Sequence, residues 1–183
     1  MAHTCPWWLG YFLISPLRKF SQNPDRILAP YLKPGMKVLE VGPGMGFFSL
    51  SIAKQVGQSG QIYCVDLQEK MLSALKKRAA KVHVDSIIDT RLCSTESLKV
   101  QDLHGQINFA LAFAVCHEVP DKTKLFKEIY DSLKTDGQLL ISEPIFHVKR
   151  EAFNATVKVA MDAGFSMVAE PKIPKGHSVL LKK

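Results

Sequence analysis

The chain has little of what marks a secreted, metal-stapled or membrane-spanning protein. Its 183 residues hold four cysteines, Cys5, Cys64, Cys93 and Cys116, with no Cys-x-x-Cys pair. That argues against a disulfide framework and for reduced, buried thiols in a cytoplasmic setting. His3 and Cys5 stand close together, but no Cys or His partner follows at finger-like spacing, so no metal site is expected. No basic segment runs into a long apolar stretch and a small-residue cleavage site, and Trp7 to Ile14 is too short to span a bilayer. Gly-x-Ser-x-Gly, the Walker loop and His-Glu-x-x-His are all missing, which disfavours hydrolase, NTPase and zinc-protease readings. There is no internal repeat, low-complexity tract or interdomain linker.

What remains is a chain long enough for one domain with its own core. The formal charge is +7, with basic residues gathered at Lys76-Lys77-Arg78, Lys149-Arg150 and Lys172 to Lys183. This reads either as attraction to an acidic partner or as an ordinary solvated surface, since charge bears on association and not on fold.

The pattern along the chain alternates strand and helix. An apolar strand ends at Val38-Leu39-Glu40-Val41, and Phe47 to Val56 reads as a helix. Gln61 to Asp66 reads as a second strand, and Gln68 to Lys81 as a helix with Met71, Leu72 and Leu75 at helical spacing. Ile87 to Leu92, Ile107 to Phe113 and Gln138 to Ser142 supply three further strands, with a helix over Lys122 to Leu133. Such alternation predicts a parallel sheet covered by helices on both faces. After a helix over Val148 to Ala163, closed by Gly164, two strands follow at Phe165 to Ala169 and Ser178 to Leu181.

Asn23-Pro24-Asp25 is a helix start, with Asn at the cap and Pro in the first turn. Residues 23–183 are therefore read as the folded domain. Residues 1–22 form an aromatic segment, in which Trp7, Trp8, Tyr11 and Phe12 need cover. They either pack on the domain's own surface or form a lid over a substrate pocket.

The most telling stretch is Glu40-Val41-Gly42-Pro43-Gly44-Met45-Gly46. Glycines let the backbone approach a ligand, and the amides of the following helix face the same gap. A dinucleotide fingerprint needs Gly-x-Gly-x-x-Gly, and its third glycine would fall on Phe47. Acidic-x-Gly-x-Gly-x-Gly instead resembles motif I of the class I S-adenosylmethionine-dependent methyltransferases, and the resemblance runs from about Pro24 onward. It implies an α/β, Rossmann-like, seven-stranded and mostly parallel sheet, with the last strand inserted antiparallel between the fifth and sixth. Ala112-Phe113 and the segment Cys116-His117-Glu118-Val119-Pro120-Asp121 resemble motif IV of small-molecule methyltransferases of the ubiquinone/menaquinone-biosynthesis type. The Asn/Asp-Pro-Pro-Tyr text of exocyclic-amino methyltransferases is absent, so nucleic acid is not the expected acceptor.

Asp66 stands twenty residues beyond Gly46, where an acid accepts hydrogen bonds from both ribose hydroxyls; it could equally cap the helix starting near Gln68. The resemblance puts Leu67 on the adenine face and Glu40 at the methionine end, although Glu40 could instead hold the loop internally. It puts Ala112 and Phe113 beside the methyl donor. Relatives carry Gly-Asp-Ala after the third strand, where this chain has Cys93-Ser94-Thr95-Glu96. Ser94 or Thr95 takes over part of the adenine contact, or Thr95 is a helix cap. His117 and Glu118 are the acid/base candidates, or else they order their loop and cap the next helix. The expected activity is methyl transfer from S-adenosylmethionine to a small molecule. A catalytically inactive S-adenosylmethionine-binding module, a nucleic-acid methyltransferase and a nicotinamide-dependent oxidoreductase stand as alternatives.

Overall fold

The computed structural model describes residues 18–183. The aromatic cluster at Trp7 to Phe12 lies outside the described residues. A helical turn, α1 (Arg18–Ser21), leads to a short helix, α2 (Pro24–Leu28), which starts as its sequence requires. The Asn23 side-chain oxygen accepts hydrogen bonds from the amides of Asp25 and Arg26 at 3.0 and 3.3 Å, and Pro24 occupies the first turn.

The body then alternates as β1 (Lys37–Val41), α3 (Ser49–Val56), β2 (Gln61–Asp66), α4 (Glu69–Lys81), β3 (Ile88–Leu92), β4 (Ile107–Phe113), α5 (Lys122–Ser132), β5 (Leu133–Pro144), α6 (Arg150–Asp162), β6 (Ser166–Ala169) and β7 (Gly176–Lys182). The seven strands make one sheet in the order β3-β2-β1-β4-β5-β7-β6. The first five are parallel, and β7 runs antiparallel between β5 and β6, as the resemblance implied.

The inner strands are apolar on both faces because both are covered. Along β1 and β4, Val38, Phe109 and Leu111 face the side that holds Leu28, Ile52 and Leu75. Leu39, Ala110 and Ala112 face the side that holds Phe126, Ile129 and Phe153. Strand order reverses between β1 and β4. The connections leave that point on opposite faces and open a crevice beyond the carboxyl ends of the strands.

Most element boundaries fall within two residues of the sequence reading, and three differences have a clear local reason. Helix α3 begins at Ser49 rather than Phe47, because a run of turns closed by a Gly46 N–H to Pro43 carbonyl bond precedes it. Phe47 and Phe48 are buried within that turn, edge to face with centroids 5.2 Å apart. Strand β5 is longer than Gln138 to Ser142. It is irregular near Asp136, whose φ is +65°, and pairs with β7 as far as Pro144 opposite Gly176. That pairing also extends β7 beyond Ser178 to Leu181, and it carries the end of β5, with Glu143, to the crevice.

Candidate active site

The crevice holds a cavity of about 970 Å³, at the upper end of the ligand-pocket range of about 300–1,000 Å³. Its floor is the turn after β1, where the three glycines have left-handed φ values of +70°, +54° and +85° and serve different purposes. At Gly44 a Cβ would meet no atom within 4 Å, so its backbone lies open to the cavity. At Gly42 a Cβ would press on the Val115 side chain, and at Gly46 on Leu75 of α4. Gly42 and Gly44 line the cavity, whereas Gly46 lies behind it and lets α4 close on the loop.

Two acids frame this floor. Glu40 is 3% exposed, on the sheet face that carries Cys64 and α3. Ser49 Oγ, in the first turn of α3, donates to Glu40 Oε2 at 2.5 Å, and Cys64 Sγ donates to the same oxygen at 3.7 Å. Burial raises the Glu40 pKa to about 7 against the opposing pull of these bonds, and the charge of Asp66 raises it further. The internal hold on the loop considered for Glu40 is therefore present.

Asp66 sits at the tip of β2 and is 9% exposed in the cavity wall. Its carboxylate accepts from the Gly44 amide at 3.2 Å and the Gln68 amide at 2.9 Å, so it both steadies the helix start and grips the glycine turn. Burial raises its pKa, and the Gln68, Gly44 and Leu67 amides oppose that rise. A carboxylate has about four lone-pair positions, so these amides leave acceptor capacity toward the cavity. Leu67, 39% exposed, offers an apolar face beside it.

Beyond β3, the Cys93 amide bonds the Asp66 carbonyl at 3.0 Å. Ser94 and Thr95 line the cavity in a tight turn closed by the Ser94–Ser97 bridge. No helix begins at Thr95, so the cap considered for it does not occur. Glu128 of α5 holds this turn, accepting from Ser97 Oγ at 2.8 Å and from the Leu98 amide at 2.6 Å.

The opposite wall comes from the exit of β4. Phe113 and Ala114 line the cavity, whereas Ala112 is fully buried beneath it in the core. Ala114 is left-handed at φ +56°, and its amide bonds the Ser142 carbonyl at 2.7 Å. This kink throws the chain out of the sheet into the turn Cys116–Glu118, which places His117 and Glu118 on the cavity. Neither caps the next helix. Asp121 does, accepting from the Lys124 amide at 2.9 Å.

His117 Nδ1 lies 2.5 Å from Oε2 of Glu143, which is 1% exposed and whose Oε1 accepts from the Cys116 amide at 2.7 Å. The bond to Glu143 raises the His117 pKa, burial opposes it, and the charge of Glu118 adds to the rise. Glu143 was not singled out from sequence. Its signal is the same as that of Glu40, an acid ending an apolar strand.

The mouth of the cavity carries groups that sequence reasoning also missed. The Arg18 guanidinium stands over the Phe47 ring, 4.3 Å from its centroid, and near Phe48 and Phe113. Burial lowers its pKa to about 10. Arg18 Nε donates to Gln22 at 3.0 Å, and Gln22 Nε2 donates to the Pro174 carbonyl at 2.9 Å. His147 stacks parallel to His117 at 6.3 Å, and Phe146 is 77% exposed at the rim. No signal in the local sequence singles out Arg18, because the aromatic rings it covers are remote in the chain.

The donor set fits S-adenosylmethionine. The glycine turn and Asp66 can take a ribose diol, and two acids beside the turn suit a cationic sulfonium and an amino group but oppose a diphosphate. Sheet order, switch point and site together define the class I methyltransferase architecture. The chain belongs to the family described as a methyltransferase domain, whose model matches residues 32–175. Among curated proteins it is 29% identical over 123 residues to an arsenite methyltransferase of Halobacterium salinarum, covering 67% of this chain and 30% of that protein. It is 30% identical over 129 residues to a ubiquinone/menaquinone biosynthesis C-methyltransferase of Haemophilus ducreyi, covering 67% and 48%. The chain thus spans a third to a half of the length of these relatives. A crystal structure of an S-adenosylmethionine-dependent methyltransferase from Aquifex aeolicus shares the fold, with a TM-score of 0.87 at 22% identity over 98% of this chain and 99% of that one. Among the described residues no helix is long and apolar enough to cross a membrane, and no cluster of His, Cys, Asp and Glu is arranged to hold a metal.

Proposed function

We propose that this chain transfers a methyl group from S-adenosylmethionine to a small molecule bound in the outer part of the crevice. The observation that carries this reading is the joining of Gly44 and Asp66 in one wall of a cavity with room for a second ligand. When bound, S-adenosylmethionine supplies an electron-poor methyl on sulfur, and its transfer leaves the neutral thioether. The protein's share is then alignment and exclusion of water. Holding donor and acceptor in reacting geometry removes much of the entropic barrier.

On this reading Glu40 and the glycine turn serve the amino-acid end, Asp66 the ribose, and Leu67, Ser94 and Thr95 the base. Phe113 borders the reacting centre, and His117 and Glu118 stand on the acceptor side. Residues 1–22 serve as cover for the acceptor, supported by the position of Arg18 and Gln22 on the cavity wall. A cytoplasmic location suits the free thiols of Cys64, Cys93 and Cys116. A small acceptor is favoured over nucleic acid because two relatives are named for arsenite and for ubiquinone/menaquinone chemistry.

Titration calorimetry with S-adenosylhomocysteine and with NAD tests the cofactor. Saturable binding of the first and none of the second is expected. Binding of NAD alone overturns the reading.

A further inference from the structure

We propose that Glu143 is a positioning residue that holds His117 as the general base of the transfer, so that the acceptor is a hydroxyl or thiol compound that must lose a proton to react. This rests on the methyltransferase reading above.

The geometry is that of a carboxylate–histidine pair facing a pocket. Glu143 ends β5 with 1% exposure, a costly place for a carboxylate unless both oxygens are engaged, and both are. Oε1 takes the Cys116 amide and Oε2 takes the His117 ring at Nδ1. A carboxylate only accepts, so Nδ1 must carry the hydrogen. The neutral ring then keeps a lone pair on Nε2, the basic nitrogen that remains for a ligand. The nearest Glu118 oxygen is 3.9 Å from Nε2, beyond hydrogen-bond distance.

A mere strut between loop and strand would need only the Cys116 amide bond, which a neutral amide side chain at 143 would also accept. A buried charge on the far side of a cavity-lining imidazole is instead what makes that ring a better proton acceptor. The groups facing His117 are Glu143 at the end of β5, Glu118 in its own turn, Lys122 at the start of α5, and the parallel ring of His147. Two carboxylates against one ammonium favour the imidazolium that accepting a proton creates.

The proton balance is simple. As the acceptor oxygen or sulfur forms its bond to the methyl carbon, the carbon–sulfur bond of the sulfonium breaks and its electron pair stays on that sulfur. The acceptor's proton passes to Nε2, and the imidazolium returns it to solvent through the cavity mouth. An acceptor whose reacting atom carries a free lone pair and no proton at neutral pH, such as a thioether, gains nothing from this arrangement.

The test begins with the unaltered protein, by nitrogen-detected NMR of the histidine rings across pH. His117 is expected in the Nδ1–H tautomer, titrating above an ordinary histidine, with its midpoint falling by about one pH unit in Glu143→Gln. An Nε2–H tautomer, or a midpoint that Glu143→Gln leaves in place, overturns the positioning role. Turnover is then measured on catechol, 2-mercaptoethanol and the thioether thioanisole. Methylation of catechol or 2-mercaptoethanol is expected, rising with pH to a plateau above the His117 midpoint. His117→Ala should lower that kcat about 100-fold, with S-adenosylhomocysteine affinity held within twofold. Turnover of thioanisole that His117→Ala does not slow overturns the proposal, as does intact S-adenosylhomocysteine binding with no turnover of catechol or 2-mercaptoethanol. Loss of S-adenosylhomocysteine binding by the unaltered protein would instead overturn the methyltransferase reading itself.

Discussion

Asp66 meets two demands with one carboxylate. Its bonds to the Gly44 and Gln68 amides fix the turn that the ligand must touch, and its remaining acceptor capacity faces the cavity. Removing it should weaken S-adenosylhomocysteine binding by about 2 kcal/mol, the worth of charge-assisted hydrogen bonds in a buried site. Calorimetry on folded Asp66→Ala checks this, and unchanged affinity would remove Asp66 from the ribose role. Glu40 makes a different prediction, on stability. An unfolded glutamate releases its proton near 4.5, but in the fold it does so at about 7. Between those values the native state binds more protons than the unfolded one, so stability falls as pH rises through this window. The raised pKa values of Asp66 and His117 act in the same direction. Glu40→Gln should therefore flatten the decline in urea stability between pH 5 and 8, removing up to about 3 kcal/mol of it.

The glycine turn shows one motif divided between ligand and packing. Gly44 borders open space and Gly46 borders Leu75, so the two should respond differently to alanine. Gly46→Ala should cost about 1–3 kcal/mol of stability through overpacking and a left-handed alanine. Gly44→Ala should cost about 1 kcal/mol in stability and a larger share of cofactor affinity, because the added methyl occupies the cradle. Denaturant melts and calorimetry on both variants separate these effects. The acid-and-glycine pattern of the turn is readable in the chain because its residues are local. Glu143 beside His117 is not, since the two meet only when β4 and β5 pair in register and Ala114 kinks the chain outward. Ala112 shows the same limit from the other side. Its neighbour in sequence, Phe113, reaches the cavity, but strand alternation turns Ala112 into the core.

For the molecule as a whole, the antiparallel seventh strand is the keystone of the edge. Strand β7 is bonded on both sides and contributes Val179, Leu180 and Leu181 to both core layers. Deleting residues 176–183 should abolish the cooperative unfolding transition in circular dichroism. Replacing Met167 and Val168 of the exposed edge strand β6 by threonine should shift it by no more than about 0.5 kcal/mol each. An intact transition without β7 would show that the five parallel strands suffice.

The strands, the helices and the glycine–acid turn were legible in the linear text, because apolar period, capping residues and glycine spacing act over a few positions. The Asn23 cap and the β2 boundaries are examples, each set by neighbours in the chain. The cavity wall was settled by folding. Arg18 over Phe47, Glu128 beneath the Ser94–Ser97 turn and Glu143 behind His117 join residues 26 to 31 positions apart, and a pairing between remote side chains leaves no mark on the local pattern of either.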